Sequence, residues 1–91
     1  MKDGDRLRAL FVALEVNDDF TGASITLRDE CRLNFVHNVR ERTVRSVGSH
    51  ASDLLARIVR FRLNAKHLDI QFADGSRWET HFGTPKRPLK D

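Results

Sequence analysis

The sequence predicts a two-layer α+β domain, in which an antiparallel sheet carries two helices on one face in the order α-β-β-β-α-β-β. Two stretches place apolar residues at the spacing of a helix, the stretch between them alternates with a period of two, and a β-hairpin follows. The chain of 91 residues suffices for one modest core. We expect residues 1–84 to form this single domain and residues 85–91, with two prolines and three basic residues, a flexible basic tail.

The first helix is predicted between Asp5 and Asn17. Its apolar residues recur at steps of three and four and are Leu7, Leu10, Phe11 and Leu14. Asp3 or Asp5 can cap the start of this helix, and Asn17 can end it before a turn-forming stretch. A strand is the alternative, because a second set of apolar residues alternates here, namely Leu10, Val12, Leu14 and Val16.

A three-stranded meander is predicted next. If residues 28–30 form a three-residue loop, Leu27 lies opposite Cys31 and Ile25 lies opposite Leu33, so the apolar side chains share one face. The same register places Ala23 opposite Phe35. A second reversal at residues 38–41 then brings Val44 opposite Phe35.

The second helix is predicted from Ser49 or Ser52, either of which can act as N-cap, to Leu63 or Asn64. Its apolar stripe consists of Leu54, Leu55, Ile58 and Val59. Asp53 and Arg57 are four residues apart in the order that favours a salt bridge, and Arg57 and Arg60 point outward. The segment IVRFRL, residues 58–63, could instead form a strand.

Residues 68–82 predict a hairpin around Asp74-Gly75. A two-residue turn would mix polar and apolar side chains on each face, whereas a three-residue loop at 73–75 separates them and gives the third position to glycine. Phe72 then pairs with Ser76, and Ile70 pairs with Trp78. The apolar face becomes Leu68, Ile70, Phe72, Trp78 and Phe82, and the polar face becomes His67, Asp69, Gln71, Arg77, Glu79 and His81.

These patterns together predict the interior of the domain. The expected inner residues are Leu7, Leu10, Phe11, Leu14, Ile25, Leu27, Cys31, Leu33, Phe35, Val44, Leu54, Leu55, Ile58, Val59, Leu68, Ile70, Phe72 and Trp78. No internal repeat of a useful period is visible.

The basic composition raises the hypothesis of nucleic-acid binding. The net charge is +3, and twelve of the sixteen basic residues are arginine, which suits recognition of phosphate. The polar face of the meander offers no aromatic side chain for base stacking, so binding to RNA or DNA would be sequence-independent and act through phosphates. The candidate residues are Arg32, Arg45, Arg57, Arg60, Lys86, Arg87 and Lys90.

Catalysis has no positive signal in the sequence. His67 and His81 face each other across the hairpin, with Asp69 and Glu79 as the next pair, but two histidines alone do not make a metal site. Cys31 falls on the apolar side of the meander, where cysteine acts as a small hydrophobe. We therefore expect no cofactor, and a small metal-dependent enzyme that uses the His67 and His81 face is the third-ranked hypothesis.

The first-ranked function is a small, non-catalytic interaction domain that binds a protein partner or a second copy of itself. Val36 and Val47 fall on the outward side of the meander and Val39 near a loop tip, which can leave apolar surface for a partner. The single cysteine and the lack of a secretory signal favour the cytoplasm, and no apolar run is long enough for a membrane span.

Overall fold

A computed structural model describes residues 1–81 and confirms the α+β class. Its elements are α1 Asp3–Leu10, β1 Phe11–Val16, β2 Gly22–Leu27, β3 Arg32–His37, β4 Arg42–Val47, α2 Ser49–Leu55, β5 Ile58–Leu63, β6 His67–Phe72 and β7 Arg77–His81. The predicted tail at 85–91 and Phe82 lie outside the described residues.

The strands form two antiparallel sheets, where the sequence predicted one. The four-stranded sheet has the order β1-β2-β3-β4 and the three-stranded sheet has the order β5-β6-β7. The inner faces of both sheets contribute to one buried cluster, and Phe35 of the first sheet meets Phe61 of the second edge-on with ring centroids 5.0 Å apart. The core therefore lies between two sheets, because each sheet buries its apolar face against the other.

The first helix is shorter than predicted. It ends at Leu10, and the backbone is extended at Phe11, so Phe11–Val16 forms β1 and pairs with β2. The alternation noted as the alternative is the pattern that the fold uses. A bulge between Phe11 and Ala13 leaves Val12 57% exposed. Asn17 follows β1 and stabilises the turn, because its side-chain oxygen accepts hydrogen bonds from the Thr21 and Gly22 amides.

The second helix is also shorter than predicted. It ends at Leu55, and Ile58–Leu63 forms β5, which buries Phe61 and Leu63 on alternate positions. Val59 is a bulge residue that is 66% exposed, so its predicted place in the interior is wrong. Gly48, at a φ of 93°, is the N-cap of α2 in place of either predicted serine.

The predicted registers of both hairpins are confirmed. Ala23 lies opposite Phe35 and Ile25 opposite Leu33 in one hairpin, and Ile70 lies opposite Trp78 in the other. The amides of Leu27 and Phe72 close the two three-residue loops onto the carbonyls of Cys31 and Ser76, at 2.8 and 3.0 Å. Gly75 has a φ of 87°, the conformation for which glycine was expected.

The predicted interior is buried or half-buried at every position except Val59. The residues of the core that were not predicted are Ala23, Ala51, Phe61 and Leu63. Two of them, Phe61 and Leu63, belong to β5, whose inner face could be assigned only once that segment was known to be a strand.

The fold contains an internal repeat of an α-β-β-β unit. Phe11 pairs with Leu27 as Ile58 pairs with Phe72, and each of these strand pairs has a bulge one residue later. The second hairpin of each unit repeats the register of the other as well. The repeat is hidden because its spacing changes at the turn after β1, which is longer than the turn after β5. Identical residues at equivalent positions are Leu7 and Leu54, Ala9 and Ala56, Val12 and Val59, Asn17 and Asn64, Ile25 and Ile70, Asp29 and Asp74, and Arg32 and Arg77.

The two units exchange their helices. Helix α1 packs on β6 and β7 of the second unit, whereas α2 packs on β3 and β4. The Asp3 amide donates to Asp74 Oδ2 at 2.8 Å, and at the equivalent place in the other unit His50 Nε2 lies 3.1 Å from Asp29 Oδ2. Strand β4 has no counterpart within residues 1–81, so it is an addition to the repeated unit.

The start of α1 is held by charges from across the fold. The buried Asp3 carboxylate accepts from Arg57 Nε at 2.9 Å and from Arg6 Nη1 at 3.3 Å. Asp53 binds Arg6 at 2.9 Å, so the predicted Asp53–Arg57 salt bridge is wrong. The hydroxyl of Ser76 and the Asp3 amide donate to Asp74 and hold the pKa of that carboxyl well below its usual range.

Candidate functional site

A cleft of about 370 Å³ opens between the edges of the two sheets. We call it the β4–β5 cleft, and it is lined by Arg42, Thr43, Val44, Ile58, Val59, Arg60 and Phe61. Its apolar lining comes from side chains that border the core, and Val59 adds an exposed apolar side chain because of the bulge in β5. The cleft therefore combines apolar walls with arginines and strand edges.

Phe61 of the cleft contacts the ring of His37, which has a buried nitrogen without a hydrogen-bond partner within residues 1–81. The His37 ring lies edge-on to Phe61 with centroids 6.2 Å apart, and its Nε2 is 3.2 Å from Arg42 Nη2. Because a guanidinium can only donate, Nε2 of His37 accepts, and the ring hydrogen of the neutral form is on Nδ1. That atom is buried and has no hydrogen-bond partner within the described residues.

The strands on the two sides of the cleft are basic. Their sequences, RTVRSV and IVRFRL, contain Arg42, Arg45, Arg60 and Arg62 and no acidic residue. None of the four has a salt bridge in the part of the chain that the structure describes. The nearest carboxylate in sequence is Glu41, which accepts from the Thr43 hydroxyl at 3.1 Å. The cleft is therefore suited to an anionic ligand.

The two edges that face the cleft differ in regularity. Strand β4 pairs with β3 over all six residues without a shift in register, whereas the bulge between Ile58 and Arg60 interrupts the start of β5. Neither strand has a hydrogen-bonded neighbour on its other side within residues 1–81. A regular edge presents evenly placed backbone donors and acceptors, so β4 is the better template for an added strand.

The candidate phosphate ligands Arg32 and Arg45 lie close together. They lie on the outer face of the four-stranded sheet, where Arg32 is opposite Val47 and Arg45 is opposite Asn34, so the two are diagonal neighbours on adjacent strands. Both side chains are exposed. The remaining polar residues of this face are Glu15, Ser24, Thr26, Asn34 and Thr43.

The equivalent arginine of the second unit is neutralised. Arg77, which corresponds to Arg32, donates to Asp69 Oδ2 at 2.7 Å, and that carboxylate raises the pKa of the guanidinium. The position that corresponds to Asp69 is Ser24 in the first unit, and Arg32 has no salt bridge among the residues described. Asp69 lies on the polar face of the hairpin opposite Glu79, as the register predicted, but it is buried there, with only 5% exposed.

The remaining predicted phosphate ligands are dispersed. Arg57 follows α2 and is bound to Asp3, which raises its pKa, and Arg60 lies on β5 beside the cleft rather than on a helix. Lys86, Arg87 and Lys90 lie outside the described residues. The sequence did not single out Arg42 and Arg62 as ligands. Arg42 begins the predicted strand RTVRSV, and the signal for Arg62 was the strand alternative at residues 58–63.

The histidine pair is where the hairpin register predicted it. The rings of His67 and His81 have centroids 5.5 Å apart, and Glu79 lies 4.0 Å from His81. Within residues 1–81 no three histidine, cysteine or acidic side chains form a group that could hold a metal ion. Cys31 is 2% exposed, and its thiol lies 3.6 Å from the Asp29 carbonyl oxygen, consistent with a place in the core.

No helix among residues 1–81 is both long and apolar enough to cross a membrane. Comparisons with protein-family models, with curated proteins and with solved structures found no match to this chain.

Proposed function

We propose that this chain is a non-catalytic interaction domain that acts in the cytoplasm and binds a protein partner in the β4–β5 cleft. The observation that carries the proposal is the cleft itself, where two strand edges that have no neighbour within residues 1–81 flank an apolar lining. Val59 is one of the large apolar residues that are exposed in the described part of the chain, and it lies in this cleft. Exposed apolar surface beside open strand edges is typical of peptide-binding sites.

Selection of random displayed peptides against the whole protein tests this function. The variant Val59→Asp introduces a charge into the cleft and serves for counter-selection, and Val12→Asp is the matched control. Val12 is the bulge residue of the first unit and is exposed to a similar extent, 57% against 66%. We expect peptides that bind the wild type and Val12→Asp but not Val59→Asp. The proposal would be refuted if no peptides were enriched, or if the enriched peptides bound Val59→Asp as well as the wild type.

A second copy of the chain is the less favourable partner. Two copies joined through their β4 edges, or β4 to β5, would bring arginines of like charge together across the new interface. We therefore expect static light scattering to give the mass of a monomer at increasing protein concentration. A dimer that Val59→Asp dissociates would instead establish self-association through the cleft.

Sequence-independent binding of RNA or DNA is the second candidate, and the adjacent arginines Arg32 and Arg45 favour it. Both are exposed, and neither has, among the described residues, an acidic partner of the kind that Asp69 provides for Arg77. The double variant Arg32→Glu and Arg45→Glu should abolish retention on a nucleic-acid column at low salt, because phosphate contacts dominate such binding. Deletion of residues 85–91 tests the tail in the same assay. Retention that neither change alters would exclude this function.

A further inference from the structure

We propose that the segment bound in the β4–β5 cleft is an extended strand of another protein, in which acidic and apolar side chains alternate, and that it pairs with the edge of β4 that faces the cleft. This inference rests on the proposed function and specifies its ligand. It follows from the backbone of β4, the lining of the cleft and the charge of both rims.

The backbone selects β4 as the edge that receives the strand. All six residues of β4 pair regularly with β3, so the opposite edge presents donors and acceptors at the spacing of an undistorted ladder. The bulge at Val59 breaks this spacing in β5, and bulges on edge strands hinder further pairing. An added strand would therefore make the four-stranded sheet five-stranded, with β5 as the far wall of the cleft.

The two faces of an added strand would meet different surroundings. Side chains on its inner face would point toward Val44, Ile58 and Phe61, which border the core. Side chains on its outer face would continue the row that holds Thr43 and Arg45. Because successive residues of a strand point to opposite faces, apolar residues must alternate with residues that suit arginine.

The repeat shows that the positive charge is specific to this flank. Arg60 and Arg62 of β5 correspond to Ala13 and Glu15 of β1, so the equivalent strand of the first unit is not basic. Strand β4, which has no counterpart within the described residues, adds Arg42 and Arg45. Acidic side chains on the outer face of the bound strand would lie beside Arg45, and opposite-charge pairs across adjacent strands are stabilising.

A nucleic acid fits this cleft less well than a peptide strand does. The phenylalanine rings of the cleft and of the nearby core, Phe35 and Phe61, are at most 5% exposed, so neither is available for base stacking. The strand edge of β4 offers alternating backbone donors and acceptors, which another strand can match residue by residue and a phosphate chain cannot.

The test uses three synthetic peptides with blocked ends. In the first, valine and glutamate alternate; in the second, lysine replaces glutamate; the third is the first peptide with N-methyl groups on alternate amides, which blocks a ladder. Amide chemical shifts and hydrogen exchange of the whole protein report binding. Because alternate amides of β4 already bond β3, we expect the first peptide to shift and protect the amides of Arg42, Val44 and Ser46, which face the cleft edge. The second and third peptides should bind at least ~10-fold more weakly, the equivalent of about 1.4 kcal/mol.

Protein variants connect this binding to the cleft. Val59→Asp should lower the affinity for the first peptide at least tenfold, and Val12→Asp should leave it unchanged. Circular dichroism checks that both variants fold. Equal binding of the lysine peptide or the N-methylated peptide, no binding of the first peptide, or competition by single-stranded RNA would overturn the inference. If displayed peptides of another chemistry still depend on Val59, the proposed function remains and only the acidic strand is refuted.

Discussion

Replacing Gly4 by alanine should destabilise this protein, although alanine normally favours a helix. A Cβ atom at residue 4 would lie 2.4 Å from the backbone carbonyl oxygen of Arg77, where 3.4 Å is the lower end of ordinary contact. That oxygen belongs to β7 and cannot swing aside as a flexible side chain would. Helix α1 must therefore move away from β7 by about 1 Å to make room.

The cost of this movement follows from two hydrogen bonds. The Asp3 amide donates to Asp74 at 2.8 Å and the Gly4 amide donates to Ser76 Oγ at 2.9 Å, so a retreat of about 1 Å lengthens both beyond the usual ~3.2 Å limit. The charge-assisted bond contributes about 1.5–3 kcal/mol and the neutral one about 0.5–1.5 kcal/mol. The higher helix propensity of alanine over glycine stabilises the variant by at most about 1 kcal/mol. We expect a net loss of about 1–3 kcal/mol in the free energy of unfolding.

Urea unfolding followed by the fluorescence of Trp78, the one tryptophan of the chain, measures this change. Trp78 is 6% exposed and lies on β7, directly after Arg77. The control is Ala9→Gly, at an exposed position of the same helix, which should lose about 1 kcal/mol through helix propensity alone. A Gly4→Ala variant as stable as the wild type, or more stable, would refute the contact between α1 and the second unit.

Three further changes test separate parts of the fold. His37→Phe should raise the free energy of unfolding by about 1 kcal/mol. The variant keeps the ring contact with Phe61 and removes the buried Nδ1–H, which has no partner among the described residues. A lower stability of the variant in thermal unfolding would contradict this prediction. Gly75→Ala should cost about 1 kcal/mol in the same measurement, since its φ is 87° and nothing else crowds the site. The lowered pKa of Asp74 means that its stabilising effect is complete above the unfolded pKa of about 3.9 and is lost as the pH falls below it. Asp74→Asn should therefore be less stable than the wild type at pH 7, and a difference that did not shrink toward pH 3 would show that the charge is not responsible.

The hairpin registers could be predicted from the sequence, and the ends of the helices could not. In the β6–β7 hairpin only one loop length gathers Ile70 and Trp78 on the buried face, so the apolar pattern determines the register. In contrast, the residues after Leu7 fit a helical face and a strand equally well. The choice depends on the ladder between β1 and β2, which no local pattern contains.

The cleft lay beyond sequence reasoning for a related reason. Arg42 and Arg60 are far apart in the chain, and they line one site only because β4 and β5 form edges of different sheets. The sequence could place Arg32 beside Arg45, because a single hairpin joins them. Contacts between sheets depend on how the units pack, and that information is spread over the whole core.

The exchanged helices determine how the chain can fold. The first turn of α1 is completed by groups that come 71 and 72 residues later, at Asp74 and Ser76. Contacts of such long range slow the search for the native state, since a large loop must close before they form. The sheet of each unit is packed by the helix of the other unit, so the two halves must reach the native state together, in one cooperative transition.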